Sequence, residues 1–370
     1  MATFRDKIVG AKKVLLINPR GLGDVIHSLP VAAMLRKYLP DACIDFLASD
    51  HSKELFNIIP CVDVVLTVPS YPRPKSKTEL YGRRIKVAWR IATSGYDAIV
   101  NLKPLDSTAA LICMSLARNK LATRDLYTKT KFRWMYSDIV DNCWQNQSCY
   151  RFQLDSMATA GFDTSECNLG PELVDLSEIQ LPPSIIRPYF HISLFASKES
   201  RQLPAVEAKA LIMGLLERYP SHQLVISCSS VKRELGEIEE YLPKGSSERI
   251  KIFAGTLDTS QLAGVIARSD AHIGPDTGSV HLAWLVGAKS VSWYLNHESL
   301  MAWVPYGPQH RVLLSTREQA RIGDLEGDPR RIQAIKASYV LEELDTLLTN
   351  PLPPKAAWPG SDHIGFRYIG

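Results

Sequence analysis

Short apolar runs alternate with longer mixed stretches through the first third of the chain. Residues 13–18 (KVLLIN) read as a buried strand, followed by a glycine turn and an apolar helix over about 25–38. Residues 43–48 give a second strand, 51–59 a short helix and 62–66 a third strand. A loop rich in proline and lysine over 69–77 leads to a helix over 80–92, a strand at 96–101 and a helix over 107–116. Runs this short, each separated by a helix, predict a parallel sheet covered on both faces.

The second half repeats the pattern. Strands are predicted at 189–194, 223–227, 250–253, 271–273 and 290–294, and helices over 205–219, 260–268 and 278–286. The joint falls in the segment 176–188, which carries Pro182, Pro183 and Pro188. The expected organisation is an acceptor-side domain at 1–180, a nucleotide-side domain at 181–349 and a tail at 350–370. A last helix over 331–348 is free, on this reading, to pack back on the first domain. Two successive α/β domains, each Rossmann-like and doubly wound, place the functional cleft between them at the carboxyl ends of their strands.

Length supports two cores, since 370 residues exceed one ordinary domain. The net charge of +4 hides an asymmetry. Residues 71–90 carry Arg73, Lys75, Lys77, Arg83, Arg84, Lys86 and Arg90 against Glu79 alone. Residues 117–134 add Arg118, Lys120, Arg124, Lys129, Lys131 and Arg133 against Asp125. Both clusters lie in the first half, which should therefore face an anionic partner, unless they are simply solvated helix faces. No helix-turn-helix, finger or RNP-type motif accompanies them, so nucleic acid is not the expected partner. Seven cysteines without CxxC spacing fit reduced thiols rather than a disulfide framework. With no apolar signal core at the start and no long apolar run, a cytoplasmic protein is expected.

Three polar turns carry candidate chemistry. Asn18-Pro19-Arg20-Gly21-Leu22-Gly23-Asp24 follows the first strand and opens a helix, with Gly21 and Gly23 permitting a tight turn and close backbone approach. Ile26 stands where a nicotinamide fingerprint wants a small residue, and Asp24 would repel a pyrophosphate at that helix end. Asp24 is therefore either a helix cap, a reactive carboxylate, or both. The second turn, Pro275-Asp276-Thr277-Gly278-Ser279 with His281 one turn on, offers backbone N–H groups and a hydroxyl to an anion, or is merely a well-capped helix start. In the third, Ser197, Lys198 and Arg201 can grip a phosphate, although a basic loop of this kind is usually plain surface. No DxD, HExxH, GxxxxGK[ST] or GxSxG pattern occurs, and His191, His222 and His272 read as ordinary core or surface residues.

These pieces resemble the bacterial ADP-heptose heptosyltransferases of lipopolysaccharide inner-core synthesis, glycosyltransferase family 9. Arg20-Gly21-Leu22-Gly23-Asp24, the segment 96–116, Asp276-Thr277-Gly278 with His281-Leu282-Ala283, and Tyr306-Gly307-Pro308 with His310-Arg311 carry the likeness. It implies a GT-B fold, an ADP-sugar donor on the second domain, an acidic glycolipid acceptor and an inverting transfer that uses neither metal nor cofactor. By motif match Asp24 is the expected base. Ser197, Lys198, Arg201, Asp276, Thr277, Gly278, Ser279 and His281 are the expected donor residues. Gly21, Gly23, Arg73, Arg83, Arg84, Lys86 and Lys103 are expected on the acceptor side, with peripheral contact to the inner membrane. Arg201 and Leu203-Pro204 replace the family's lysine and Trp-Pro, and Asn101-Leu102-Lys103-Pro104-Leu105 replaces its acidic-Gln-Gly segment. The second change leaves the acceptor and the sugar open. A GT-B transferase of another nucleotide sugar, a sugar-nucleotide epimerase, and a non-enzymatic nucleotide-binding protein remain as alternatives.

Overall fold

The central strands are rich in apolar residues and almost wholly buried, as covering on both sheet faces demands. A computed structural model describes residues 2–68, 76–124, 133–141, 150–167, 169–242, 248–296, 300, 303–305, 307–315, 332, 334–350 and 365–369. The chain divides into two compact units, Met1–Asp175 and Leu176–Gly370.

The first unit runs α1 (Phe4–Lys7), β1 (Lys13–Ile17), α2 (Leu22–Tyr38), β2 (Cys43–Ser49), β3 (Val64–Val68), α3 (Lys77–Thr93), β4 (Ala98–Asn101), α4 (Asp106–Ile112), β5 (Asn119–Arg124), β6 (Asp138–Asp141) and α5 (Phe152–Thr159). All six strands are parallel, in the order β3-β2-β1-β4-β5-β6. Leu15, Ile17, Leu47, Ile99 and Ala122 meet Ala88, Ile91, Leu111 and Ile112 of α3 and α4 in one core. The helix expected over 51–59 is instead a 3-10 segment, Asp50–Ile58. The helix expected to reach 116 stops at Ile112, and the Ser115 N–H closes a turn on the Ile112 carbonyl.

The second unit runs β7 (Tyr189–Ser193), α6 (Ala205–Arg218), β8 (Gln223–Cys228), α7 (Lys232–Tyr241), β9 (Ile250–Ala254), α8 (Thr259–Ala267), β10 (Ala271–Pro275), α9 (Gly278–Leu285), β11 (Ser290–Tyr294), β12 (His310–Leu314), α10 (Ala337–Thr349) and β13 (Gly365–Tyr368). Its seven parallel strands follow the order β13-β12-β11-β10-β7-β8-β9. Two features add to the expected organisation. The tail is not all appendage, because Gly365–Tyr368 pairs with β12 as an edge strand. The last helix buries its apolar face in its own unit: Val340, Leu341, Leu344 and Leu347 share a core with Leu211, Ile212 and Leu215. The approach to α6 is close, since a Cβ on Gly214 would lie 2.5 Å from the Leu341 side chain.

In each sheet the chain leaves its first strand in one direction and returns on the other side of it. The strand order therefore reverses between β1 and β4, and again between β7 and β10. Such a reversal opens a crevice at the carboxyl ends of the two strands, where the connecting loops part in opposite directions.

Candidate active site

The first crevice holds Asp24. Gly21 caps α2 in an extended conformation (φ −62°, ψ 166°) with no side chain to offer. Asp24 stands third in the helix, and its carboxylate accepts from the backbone of Gly21 and from its own N–H. It thus supplies the reach-back half of a capping box whose other half Gly21 lacks. The Asp24 carbonyl is fixed as well, by Asn18 Nδ2 at 2.9 Å and Ser28 Oγ at 3.0 Å. Burial raises the carboxyl above the ordinary 3.8, against the opposing pull of Lys103 and then Arg20. Cap and reactive carboxylate are therefore compatible at this position.

Neither Gly21 nor Gly23 has a positive φ, so the turn does not need glycine for its backbone angles. What the missing side chain leaves is room, since a Cβ on Gly21 would stand 3.6 Å from Asp24 Oδ2. Lys103 comes from the end of β4, the neighbour of β1. Its N–H donates to Asn101 Oδ1 at 3.1 Å, and its carbonyl accepts from Thr108 Oγ1 at 2.8 Å. Arg83, Arg84 and Lys86 lie on α3, where Arg83 is engaged by Glu79 one turn earlier. Arg73, Lys75, Asp125, Lys129, Lys131 and Tyr306 lie outside the described residues.

The second crevice joins the loop after β7 to the turn after β10. Arg201 donates through Nη1 to Asp276 Oδ2 at 3.0 Å and to the Asp276 carbonyl at 3.2 Å. Burial raises the Asp276 carboxyl, and Arg201 pulls it back toward ionisation. The fully buried Trp293 of β11 ties the pair down: its indole N–H donates to the Arg201 carbonyl at 3.0 Å, and its own carbonyl accepts from the Asp276 N–H at 3.1 Å. Nothing in the sequence pattern marks Trp293 for this task.

Thr277 precedes α9 in an extended conformation and makes no side-chain cap. Its hydroxyl is instead 2.8 Å from Ser279 Oγ and 3.3 Å from the Pro275 carbonyl. The first N–H groups of α9 are thus left for an outside anion, with the helix dipole behind them. His281 is buried in that first turn, its ring edge-on to Trp303. Burial, helped by Arg201, lowers its pKa to about 4, so it is a neutral donor or acceptor near pH 7. Ser197 and Lys198 are exposed on the loop before Arg201.

A row of buried histidines crosses the same sheet. His191 Nδ1 and His272 Nδ1 are 2.8 Å apart, and His191 Nε2 is 3.0 Å from Ser227 Oγ. His310 Nδ1 meets Ser290 Oγ at 2.8 Å. The row lies close under the anion turn, since a Cβ on Gly274 would stand 3.2 Å from His272 Nε2. Among the described residues no group of three or more His, Cys, Asp or Glu is gathered as for a metal ion.

The arrangement matches known proteins along most of the chain. The profile of glycosyltransferase family 9 (heptosyltransferase) matches residues 84–325, which include Lys103, Arg201 and the whole anion turn. Lipopolysaccharide heptosyltransferase 1 of Campylobacter coli is 21% identical over 304 residues, covering 76% of this chain and 83% of that protein. A family 9 glycosyltransferase from Veillonella parvula superposes with a TM-score of 0.71 at 18% identity, over 91% of this chain and 97% of the other. Escherichia coli WaaC, solved with ADP-2-deoxy-2-fluoro heptose, gives 0.71 at 15% identity, over 90% of this chain and 99% of the other. The two Rossmann-like domains are those of a GT-B fold. On profile and fold together, the chain belongs to glycosyltransferase family 9, the heptosyltransferases.

Proposed function

We propose that this protein moves a heptose from ADP-heptose to an acidic, lipid-linked acceptor of the lipopolysaccharide inner core, with inversion at the anomeric carbon. The observation that carries the reading is the turn at 275–279. An uncapped helix start and an arginine held by a buried carboxylate and a buried indole make a preorganised diphosphate site. The names of the relatives, lipopolysaccharide heptosyltransferases and an enzyme solved with an ADP-heptose analogue, support the choice of donor and acceptor.

In this mechanism the acceptor hydroxyl oxygen bonds to the anomeric carbon as the bond from that carbon to the diphosphate oxygen breaks. The departing electron pair goes to ADP, where Arg201 and the start of α9 receive the charge and neutral His281 donates a hydrogen bond. Asp24 takes the hydroxyl proton, and its raised proton affinity suits it to the task. Lys103 and the cations of α3 hold the acceptor's phosphates and carboxylates. Asp276 acts on the donor through Arg201 and does not touch the diphosphate itself. Because the acceptor is carried by a lipid, the protein works at the cytoplasmic face of the inner membrane. No helix among the described residues is long and apolar enough to cross a membrane.

Incubation with ADP-heptose and core-truncated lipopolysaccharide should add one heptose, read by mass spectrometry. ADP-heptose should raise the melting temperature more than UDP- or GDP-sugars do. Stabilisation by a UDP-sugar alone, with no heptose added, would sink this reading in favour of another transferase or an epimerase. Excess EDTA should leave turnover unchanged, because Arg201 and the helix terminus take the place of a metal. A loss of turnover restored by magnesium or manganese would overturn that assignment.

A further inference from the structure

Helix α3 carries more apolar surface than its packing uses. One side of it, Val87, Ala88 and Ile91, packs into the first unit's core with Leu111 and Ile112. A different side presents Tyr81, Ile85 and Trp89, which are 59%, 65% and 62% exposed. Their spacing of four residues advances each only about 40° around the helix, so they form a continuous stripe. Single exposed hydrophobics are ordinary, but three large ones in line mark a contact surface.

Charge says what the contact is. Lys86 and Arg90, each one residue beyond a stripe residue, are exposed along one flank. The helix's one acid, Glu79, is taken by Arg83. The stripe therefore has a cationic edge, with tyrosine and tryptophan at its ends. That is the composition of a helix lying in a bilayer interface, with aromatic rings at headgroup depth and long basic side chains reaching anionic phosphates. A second protein docking here would have to match an apolar stripe and the cations beside it.

We propose that the Tyr81–Ile85–Trp89 stripe of α3 is the surface on which this protein seats against an anionic lipid bilayer. The proposal rests on the reading of a membrane-borne acceptor, and adds the surface and its chemistry. Insertion of the stripe brings Lys86 and Arg90 to headgroup level, so the same helix meets both the bilayer and the acceptor's phosphates.

The test uses full-length protein and vesicles free of acceptor, either phosphatidylglycerol with phosphatidylethanolamine or phosphatidylcholine alone. Wild type should co-sediment with the anionic vesicles, less so as salt is raised, and bind phosphatidylcholine weakly. Ile85→Ser with Trp89→Ser should weaken binding to anionic vesicles by about tenfold or more, with an unchanged melting temperature. If the double variant fails to fold, Trp89→Ser alone gives the same comparison with a smaller effect. The variant should turn over detergent-dispersed acceptor at the wild-type rate and acceptor embedded in vesicles more slowly. Equal vesicle binding by variant and wild type, or no wild-type binding to anionic vesicles, overturns the proposal. So does a wild-type dimer that the variant dissolves, which would assign the stripe to a second copy. Failure of the transferase reading shows separately, as wild type inactive even on detergent-dispersed acceptor.

Discussion

Asp24→Asn is expected to cut turnover by about 100- to 10,000-fold, the usual contribution of a positioned general base. The substitution keeps the oxygen that reaches back to the start of α2 and leaves the hold of Asn18 and Ser28 on the backbone untouched. It removes only the group that accepts a proton. Because burial penalises the carboxylate here, a neutral amide should fold at least as well, and the melting temperature should hold or rise. Donor affinity should hold too, since the diphosphate site is built from other residues. The wild-type rate should fall on the acid side as Asp24 becomes protonated, at a pH above the ordinary carboxylate value of 3.8, and the variant should lack that limb. Turnover, melting and pH profile on one variant therefore separate a base from a cap. Near-normal turnover at unchanged melting would remove Asp24 from the mechanism.

The crevices themselves suggest why the chemistry divides as it does. Asp24 and Lys103 stand at the β1/β4 reversal, and Arg201 and Asp276 at the β7/β10 reversal. On the proposed mechanism each domain thus uses the same topological position, and the residue at the helix start sets its task. A carboxylate in the first turn of α2 repels a phosphate and suits proton transfer. The uncapped first turn of α9, with a cation beside it, attracts one.

Strands such as Val14–Ile17 and Ile44–Ala48 were legible because burial on both faces keeps them almost wholly apolar, with Asp45 the one polar residue. Edge strands escape that requirement. β6, at one edge, is Asp-Ile-Val-Asp, and β5 beside it offers only Leu121 and Ala122 as apolar residues, so neither has a readable period. β13 was lost in the proline- and glycine-rich tail for the same reason. The two glycine turns were legible as strand–turn–helix junctions, since the residue types there suit anions and caps. Their wiring was not. That Asp276 holds Arg201, that Trp293 reaches Arg201, and that His191 meets His272 depend on contacts between residues 75, 92 and 81 apart in sequence. Local pattern carries no trace of such pairings. Charge counting likewise could not show that Glu79, one turn away, engages Arg83.

Mild acid is expected to unfold the second domain, through its buried histidines. His191 and His310 have pKa values near 3, His281 near 4, and His272 well below 6.5, each chiefly because burial penalises the charged ring. His191 Nδ1 and His272 Nδ1 are hydrogen-bonded, so one ring accepts from the other, and charging the accepting ring would set two donors face to face. Among the described residues, His272 Nε2 and His310 Nε2 have no partner to receive a second proton. The unfolded chain, with histidines near 6.5, binds more protons than the folded one as pH falls from about 6.5 toward 4. Stability is therefore fully present above 6.5 and is lost below it. From pH 6.5 to 5.5 each histidine removes about 1 kcal/mol, so the four together remove roughly 4 kcal/mol, a large part of a typical domain's stability. Asp24 and Asp276 have the opposite sign, since their raised carboxyls take up protons in the folded state and offset part of the loss at lower pH. Urea unfolding at pH 7.5, 6.5 and 5.5 should show the midpoint falling steeply only in the second interval. A midpoint independent of pH over this range would mean that these rings are solvated or already charged in the folded protein. The neutral state assigned to His281 at the donor site would then fail with them.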